Sequence, residues 1–202
     1  APWGTSEDIA AYGSLITTRQ MGNRWQASEG PEIIYNAATD YYYLFVAYDA
    51  LDTPYNTRVC RSRNINGPYL GIDGVNLTQD GGEMLPVVTH PYKFSNSYGW
   101  VGISHCAVFD DGNGNWYYAS QGRFPQNVEG NAYSNALMMG HIRSIKWTST
   151  GWPVVMPERY GAVPQIAITE DELVGNWEHI DLSYSYGKQK ESSNMTLAAD
   201  HT

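Results

Sequence analysis

Glu29 is the residue whose sequence context best suits acid chemistry. It opens the stretch Glu29-Gly30-Pro31-Glu32-Ile33-Ile34-Tyr35-Asn36, and an aromatic run follows at Tyr41-Tyr42-Tyr43-Leu44-Phe45. A carboxylate that precedes Gly-Pro and two strand-like runs is predicted to lie at the mouth of a sheet, where a general acid belongs. Such an acid must be protonated near neutral pH, so its pKa has to be raised by burial or by a neighbouring carboxylate. The plainer alternative is a strand-end carboxylate in a structural hydrogen bond.

A second stretch repeats this layout, with His105 in the place of Glu29. Three pairs of residues keep similar separations along the chain: Glu29 and His105 (76 positions), Tyr43 and Tyr118 (75), Arg61 and Arg143 (82). A repeat of this length with about four strands predicts a propeller blade with long loops; a sandwich with similar hairpins is the weaker alternative. In the propeller, Glu29 and His105 would begin the innermost strands and face one central cavity.

The rest of the chain also indicates an all-β protein. Strand-like runs separated by turn signals are predicted at Ile33–Asn36, Tyr41–Tyr48, Thr57–Ser62, Cys106–Asp110, Trp116–Ser120, Met138–Trp147 and Trp152–Met156. Helical periodicity is nearly absent; Ile168 to Leu173 could form one turn. The strand register changes after Pro164, so we predict propeller blades over residues 1–164 and the start of an accessory β-domain over residues 165–202.

Composition excludes several classes of function. The chain has 202 residues, of which 42% are hydrophobic and 16% are charged, and its net charge is −9. With no basic run, nucleic acid and anionic membrane are poor partners, and no apolar window is long enough to span a bilayer. The two cysteines, Cys60 and Cys106, lie in strand-like runs and are interpreted as small buried hydrophobic residues, a bridge between them being the alternative.

Further side chains are candidates for contact with a substrate. Four loop aromatics could stack on a sugar ring: Trp25, Tyr55, Trp100 and Phe124. Arg58 and Arg61 lie on opposite faces of one strand, so one of them could reach the cavity, with ordinary ion pairing as the alternative. Glu32 is three positions from Glu29 and is predicted to be structural, on the opposite face.

Several segments together resemble the arabinanases of glycoside hydrolase family 43. The similar segments span roughly residues 25–160 in the family's order: Glu29–Tyr35, Tyr41–Phe45, Tyr55 with Arg58–Ser62, Asn66–Tyr69, Ser104-His105, His141–Ile145 with Trp147, and Gly151–Val155. The tail from Gly175-Asn176-Trp177-Glu178 is similar to the start of the accessory β-domain of larger arabinanases.

The resemblance implies a five-bladed β-propeller that hydrolyses α-1,5-linked L-arabinan, by endo or exo action, with inversion. Glu29 matches the general acid, while the base and the aspartate that tunes the pKa of the acid belong to earlier blades and match nothing here. His105 matches the histidine that holds a cation, usually calcium, although Ser104 stands where the family has glycine. Calcium prefers oxygen ligands, so one imidazole with waters makes a weak site, and another cation is an alternative.

Two blades cannot close a propeller, which needs about four. We therefore expect this chain to be a piece of a larger enzyme, secreted or periplasmic, whose N-terminal segment is supplied by a second chain or was separated by a nick. Its substrate would be arabinan or an arabino-oligosaccharide. The alternatives are a family 43 xylosidase or arabinofuranosidase, a non-catalytic carbohydrate-binding propeller, and a structural interaction module.

Overall fold

The computed structural model describes residues 13–21, 24–25, 27–51, 54–126, 128, 138–163 and 166–200. The architecture is all-β, with two four-stranded antiparallel sheets at its centre. None of the helices in this described part of the chain has the length and apolar character needed to cross a membrane.

The first sheet follows a two-strand ribbon formed by β1 (Gln20–Met21) and β2 (Arg24–Trp25). Its strands stand in chain order: β3 (Ser28–Asn36), β4 (Tyr41–Tyr48), β5 (Asn56–Ser62) and β6 (Val87–Thr89). Residues 63–86 separate β5 from β6 and contain the short helix α1 (Leu77–Asp80) and a 3₁₀ turn (Gly81–Glu83). This insertion supplies Tyr69, Leu77 and Met84 to an apolar cluster on one face of the sheet.

After β7 (Tyr92–Lys93), the second sheet repeats the same order. It consists of β8 (Ala107–Asp110), β9 (Trp116–Gly122), β10 (Met139–Trp147) and β11 (Pro153–Val155). The seven predicted strands are therefore confirmed within the two sheets to within a few residues, whereas β6 and the two-residue strands β1, β2 and β7 were not predicted. The first strands of the two sheets, β3 and β8, contact each other, as do the last strands, β6 and β11.

The main core lies between the two sheets. Tyr43, Phe45 and Val59 of the first sheet pack there with Tyr118 and Ile145 of the second, all almost fully buried. Both cysteines are buried and unbridged, which confirms their interpretation as small hydrophobic residues.

This core corrects the offset assigned to the repeat. Tyr43 faces the second sheet, whereas Tyr118 faces back to the first, since its hydroxyl lies 2.7 Å from Thr57 Oγ1. If the second sheet repeats the first in the same orientation, equivalent positions point in the same direction. Tyr43 and Tyr118 point towards each other, so they are not equivalent positions. A shift of one residue flips every side chain of a strand, so the offset of 75 for Tyr43 and Tyr118 was wrong by one position. The same holds for Arg61 and Arg143, which pair across the strands with Tyr43 and Tyr118 respectively.

The other face of the second sheet is largely uncovered. It carries Phe109 (44% exposed), Ile142 (44%) and Val154 (41%), with Ala107 exposed and Tyr117 half-buried. We call these five residues the open face. An antiparallel sheet that faces water normally presents polar side chains there, so apolar residues at these positions indicate a surface built to be covered.

The C-terminal segment packs on the loop that follows the first sheet. It contains α2 (Glu170–Leu173), β12 (Gly175–His179), β13 (Lys190–Glu191) and β14 (Ser193–Leu197). The one-turn helix predicted before Leu173 is confirmed, and Glu172 accepts hydrogen bonds from Thr169 N (2.8 Å) and Oγ1 (3.0 Å). Strand β12 pairs with β14, and β13 pairs in parallel with β7. The division at residue 164 stays a prediction.

Candidate active site

A β-bulge sets the direction of Glu29. Glu29 pairs with Ala47 and Glu32 pairs with Phe45, so one extra residue lies between the two glutamates on β3. Gly30 has a φ of +55°, a left-handed conformation that favours glycine and that re-aims the strand. Because of the bulge, both glutamates lie on the face of Ala47 and Phe45. The prediction that Glu32 lies on the opposite face was wrong, since sequence spacing alone assumes a regular strand.

Glu29 belongs to a three-residue cluster with Tyr55 and His105. The Tyr55 hydroxyl donates to Glu29 Oε1 at 2.5 Å and lies 3.2 Å from His105 Nδ1, while His105 Nδ1 lies 3.5 Å from Glu29 Oε1. The side chains of Glu29 and His105 are 53% and 58% exposed, and Tyr55 is 1% exposed. The structure thus brings together the glutamate and histidine that the repeat placed in one cavity.

Tyr55 and Glu29 change each other's acidity. The hydrogen bond from Tyr55 is the main reason that the pKa of Glu29 is lowered, with a smaller contribution from His105 and partial opposition from burial. Burial, and then the bond to Glu29, raise the pKa of the Tyr55 phenol. A lowered pKa is the opposite of what a general acid requires. The described residues therefore stabilise the carboxylate form of Glu29 and lack a neighbour that would favour the protonated form.

A buried hydroxyl network supports the backbone at His105. Ser104 is fully buried, and its Oγ lies 2.7 Å from Thr57 Oγ1 and 2.9 Å from the Asn56 carbonyl oxygen. His105 itself has a φ of +56°, and a Cβ on Gly30 would come within 3.0 Å of its ring. The serine that replaces the family's glycine is thus accommodated by anchoring the loop to β5, while the close approach of the ring needs a glycine at position 30.

Within the cluster, the described residues offer a cation the imidazole of His105 and the carboxylate of Glu29. Tyr55 has a single hydroxyl proton, which it donates to Glu29, so its oxygen accepts from His105 Nδ1–H and the lone pair of the ring stays on Nε2. No group of three or more His, Cys, Asp or Glu side chains suited to a metal occurs in the described part of the chain. One imidazole and one carboxylate fall short of the oxygen-rich shell that calcium takes, so these residues alone do not complete a calcium site.

The other residues predicted to contact substrate either lie away from the Glu29 cluster or have a different role in it. Tyr55 is buried against Glu29, so its ring is not exposed for stacking on a sugar. Arg58 is 2% exposed; its Nε donates to Asn56 Oδ1 (2.9 Å), its Nη1 to the Gly82 carbonyl (2.9 Å), and its guanidinium lies between the rings of Tyr48 and Tyr184. This packing buries Arg58 on the strand face opposite Thr57, and its substrate role stays a prediction. The side chain of Trp25 lies outside the described part of the structure.

Trp100 and Phe124 stack on each other, with centroids 4.7 Å apart, so each ring has one face occupied. Arg123, which sequence reasoning missed, is fully buried, and its positive charge opposes the rise in the pKa of Tyr55. Nothing in its sequence context distinguishes it from other strand-end arginines.

Two successive four-stranded antiparallel sheets, with a glutamate at the start of the first and a histidine before the second, are typical of a propeller-like fold. The profile of the glycosyl hydrolases family 43 matches residues 6–153, and the chain belongs to this family.

Relatives of known activity match over most of the chain. An extracellular endo-α-(1→5)-L-arabinanase of Thermotoga petrophila is 30% identical over 179 residues, which is 81% of this chain and 36% of the relative. Endo-α-(1→5)-L-arabinanase 2 of Bacillus subtilis, also extracellular, is 27% identical over 90% of this chain and 42% of its own length.

Solved structures also match over most of the chain. The crystal structure of the Thermotoga petrophila endo-1,5-α-L-arabinanase with Tris matches with a TM-score of 0.78 and 27% identity, over 91% of this chain and 42% of that one. The family 43 YxiA protein of Bacillus licheniformis matches with a TM-score of 0.77 and 25% identity, over 90% of this chain and 43% of the other. The chain spans less than half the length of these relatives.

Proposed function

We propose that this chain supplies the general acid of an arabinan-degrading glycoside hydrolase, within a five-bladed propeller completed by other chain segments. The observation that carries the proposal is the cluster of Glu29, Tyr55 and His105 at the edge where the first strands of two family 43 sheets meet. The arabinanase relatives support α-1,5-L-arabinan or its oligosaccharides as substrate and, being extracellular, favour a secreted protein.

In this proposal Glu29 protonates the leaving glycosidic oxygen while a base from another blade activates water on the opposite face. An inverting pair of carboxyl groups stands ~6.5–9.5 Å apart to admit that water. Tyr55 holds Oε1 of Glu29, so the transferable proton would lie on Oε2, the oxygen left free for the substrate. Tyr55 is thus a positioning residue, held in place by its own burial.

The lowered pKa of Glu29 indicates what the missing part must provide. A second carboxylate close to Glu29 would raise its pKa, because two adjacent negative charges repel each other. The family's tuning aspartate, expected from an earlier blade, has this effect. We therefore infer that Glu29 becomes a competent acid only once the complementary segment is in place.

A calcium ion bound to His105 is a further part of the proposal. Nε2 is the ring nitrogen left for a ligand, and the remaining ligands would be waters or groups from other segments. No catalytic step depends on this ion here. Calcium titration followed by the His105 ring signals in NMR tests the proposal: no change at millimolar calcium in the assembled enzyme would exclude it.

The exposed apolar side chains of the open face favour the proposal that an N-terminal partner segment packs against them. On the first sheet, the face that points in the same direction carries Tyr43 and Phe45 and is covered by the second sheet. We propose that a further blade covers Phe109, Ile142 and Val154 in the same way, whether it belongs to this polypeptide or to a second one.

The decisive experiment compares Glu29→Gln with Glu32→Gln in the assembled enzyme. Both lie on the same face of β3, but only Glu29 contacts Tyr55 and His105. Loss of a general acid lowers the rate by roughly 10²–10⁴-fold, so we expect that loss for Glu29→Gln on arabinan and little change for Glu32→Gln. Equal activity of Glu29→Gln and the unaltered enzyme would overturn the assignment.

The same assay separates the alternatives. Hydrolysis of aryl xylosides or arabinofuranosides in place of arabinan would indicate a family 43 xylosidase or arabinofuranosidase. Binding of arabinan without hydrolysis would indicate a carbohydrate-binding propeller. The analysis of products by chain length distinguishes endo from exo action.

A further inference from the structure

Arg143 is an arginine whose charge has no evident partner. It lies on β10, pairs across the strands with Tyr118, and is 1% exposed between the two sheets. Its Nε makes a long hydrogen bond of 3.4 Å to the Pro157 carbonyl, and neither Nη1 nor Nη2 has a hydrogen-bond partner among the described residues. A guanidinium carries a positive charge, so four N–H donors and that charge are buried without compensation from the residues that the structure describes.

Arg61 of the first sheet, which pairs across the strands with Tyr43, shows how a buried part of such a side chain can be accommodated. Its Nη1 donates to the carbonyl oxygens of Thr150 (2.7 Å) and Gly151 (3.2 Å), and its guanidinium stacks on Tyr41 and Trp152 at 4.2 Å. It is also partly exposed to water. Arginine is rarely buried as deeply as Arg143 unless it is paired, so this difference needs an explanation.

Arg143 lines a cavity of about 250 Å³ beside the main core. The walls come from the end of the first sheet, from β11 with the residues after it, and from the C-terminal segment. Most of the lining is apolar, as shown by Val88, Ile103, Val155, Met156, Ile180 and Leu182.

The polar groups on the walls do not neutralise Arg143. Both ring nitrogens of His90 are engaged, with the Pro91 carbonyl (2.9 Å) and the Ser185 backbone (3.1 Å), and burial lowers its pKa. Tyr92 donates its hydroxyl to the Pro157 carbonyl. The Glu178 carboxylate is held by Ser95 N (3.1 Å) and Ser192 Oγ (3.3 Å), and within the described residues it forms no ion pair with Arg143.

We propose that this cavity binds a small aliphatic monocarboxylate, with its head group on Arg143 and its short chain among the apolar walls. The two Nη groups of an arginine match the two oxygens of a carboxylate. Both are covered by protein atoms in this structure, so binding requires the Arg143 guanidinium to turn toward the cavity. A single negative charge neutralises the guanidinium, whereas a doubly charged phosphate would leave an excess charge in apolar surroundings. The site is separate from the Glu29 cluster and does not depend on the proposed hydrolase function.

Thermal unfolding of the full protein with sodium butyrate tests this site, with sodium chloride at equal ionic strength and butyramide as ligand controls. Saturating butyrate should raise the Tm by roughly 2–4 °C, because a ligand that binds only the folded state stabilises it. Arg143→Met should abolish the butyrate shift and, without the ligand, should melt no lower than the unaltered protein, since an unpaired buried charge is removed. Arg61→Met is the matched control and should keep the butyrate shift.

A rise in Tm of equal size with butyramide, or an unchanged butyrate shift in Arg143→Met, would overturn the proposal. Crystals soaked in 4-bromobutyrate provide a second measurement that needs no variant. A bromine anomalous peak in the cavity supports the site; only ordered water on Nη1 and Nη2, or Glu178 turned inward to pair with Arg143, refutes it.

Discussion

The two sheets share one strand order but differ in what covers them. The second sheet covers one face of the first sheet, and the 63–86 insertion covers the other except at β3, where Ile33 (38%) and Tyr35 (46%) are exposed. The second sheet is buried on one face and carries Phe109, Ile142 and Val154 exposed on the other. The same supersecondary unit therefore has other parts of the chain packed on both of its faces in one place, and on only one face in the other.

The largest expected effect compares two phenylalanines, Phe45 in the core between the sheets and Phe109 on the open face. Phe45→Ala should lower the free energy of unfolding by roughly 3–5 kcal/mol, because a fully buried aromatic ring is removed and leaves a cavity. Phe109→Ala should stay within about 0.5 kcal/mol in this chain alone. Urea unfolding of both variants measures the difference. Similar losses for the two would mean that the open face is already covered.

A smaller effect concerns His141, which is buried on the second sheet with both ring nitrogens unpaired among the described residues. Burial, and then the nearby charges of Arg143 and Arg159, lower the pKa of His141 to about 4. In the unfolded chain the pKa is about 6.5, so between these values the unfolded state binds more protons and stability falls as the pH falls.

This linkage predicts a loss of about 2 kcal/mol between pH 8 and pH 5 that depends on His141. His141→Gln should flatten the pH dependence of the free energy of unfolding by that amount, as followed by urea unfolding at each pH. His90→Gln serves as a comparison, because burial also lowers the pKa of His90. An unchanged slope in His141→Gln would show that folding does not lower the pKa of His141.

The smallest expected change is produced by Tyr55→Phe in the assembled enzyme. The variant removes the hydrogen bond that lowers the pKa of Glu29, so the alkaline limb of the kcat/KM profile, where Glu29 loses its proton, should move to higher pH. Loss of a charge-assisted bond should also lower kcat by roughly tenfold. A uniform decrease with no shift of the profile would assign Tyr55 a packing role only.

The sequence predicted the regular strands well, because turn signals such as Asp111–Gly114 separate runs of clear β character. It missed β6, since the 63–86 insertion removes that strand from the place where a short-loop blade would have it. It also placed Glu32 on the wrong face and gave Tyr43 and Tyr118 an offset that was wrong by one, because a bulge and a one-residue slip leave no compositional trace.

The sequence predicted that Glu29 and His105 belong to the site, but it did not predict the contact that Tyr55 makes with both of them. Glu29 and His105 stand out because each leads a strand in a repeated layout. Tyr55 was interpreted as a loop aromatic for stacking on sugar, since nothing local shows that its hydroxyl points to a carboxylate 26 positions earlier. The contacts of Arg58 could not be predicted for the same reason, because its partners Tyr48, Gly82 and Tyr184 come from three separate parts of the chain.

The hydroxyl network beneath His105 also affects how the molecule unfolds. Tyr118 of the second sheet meets Thr57 of the first, and Thr57 meets Ser104 of the loop between them. If either sheet opened alone, these buried hydroxyls would lose their partners. The two sheets should therefore unfold as one cooperative unit, and their slowest amide protons should exchange with solvent at a common rate.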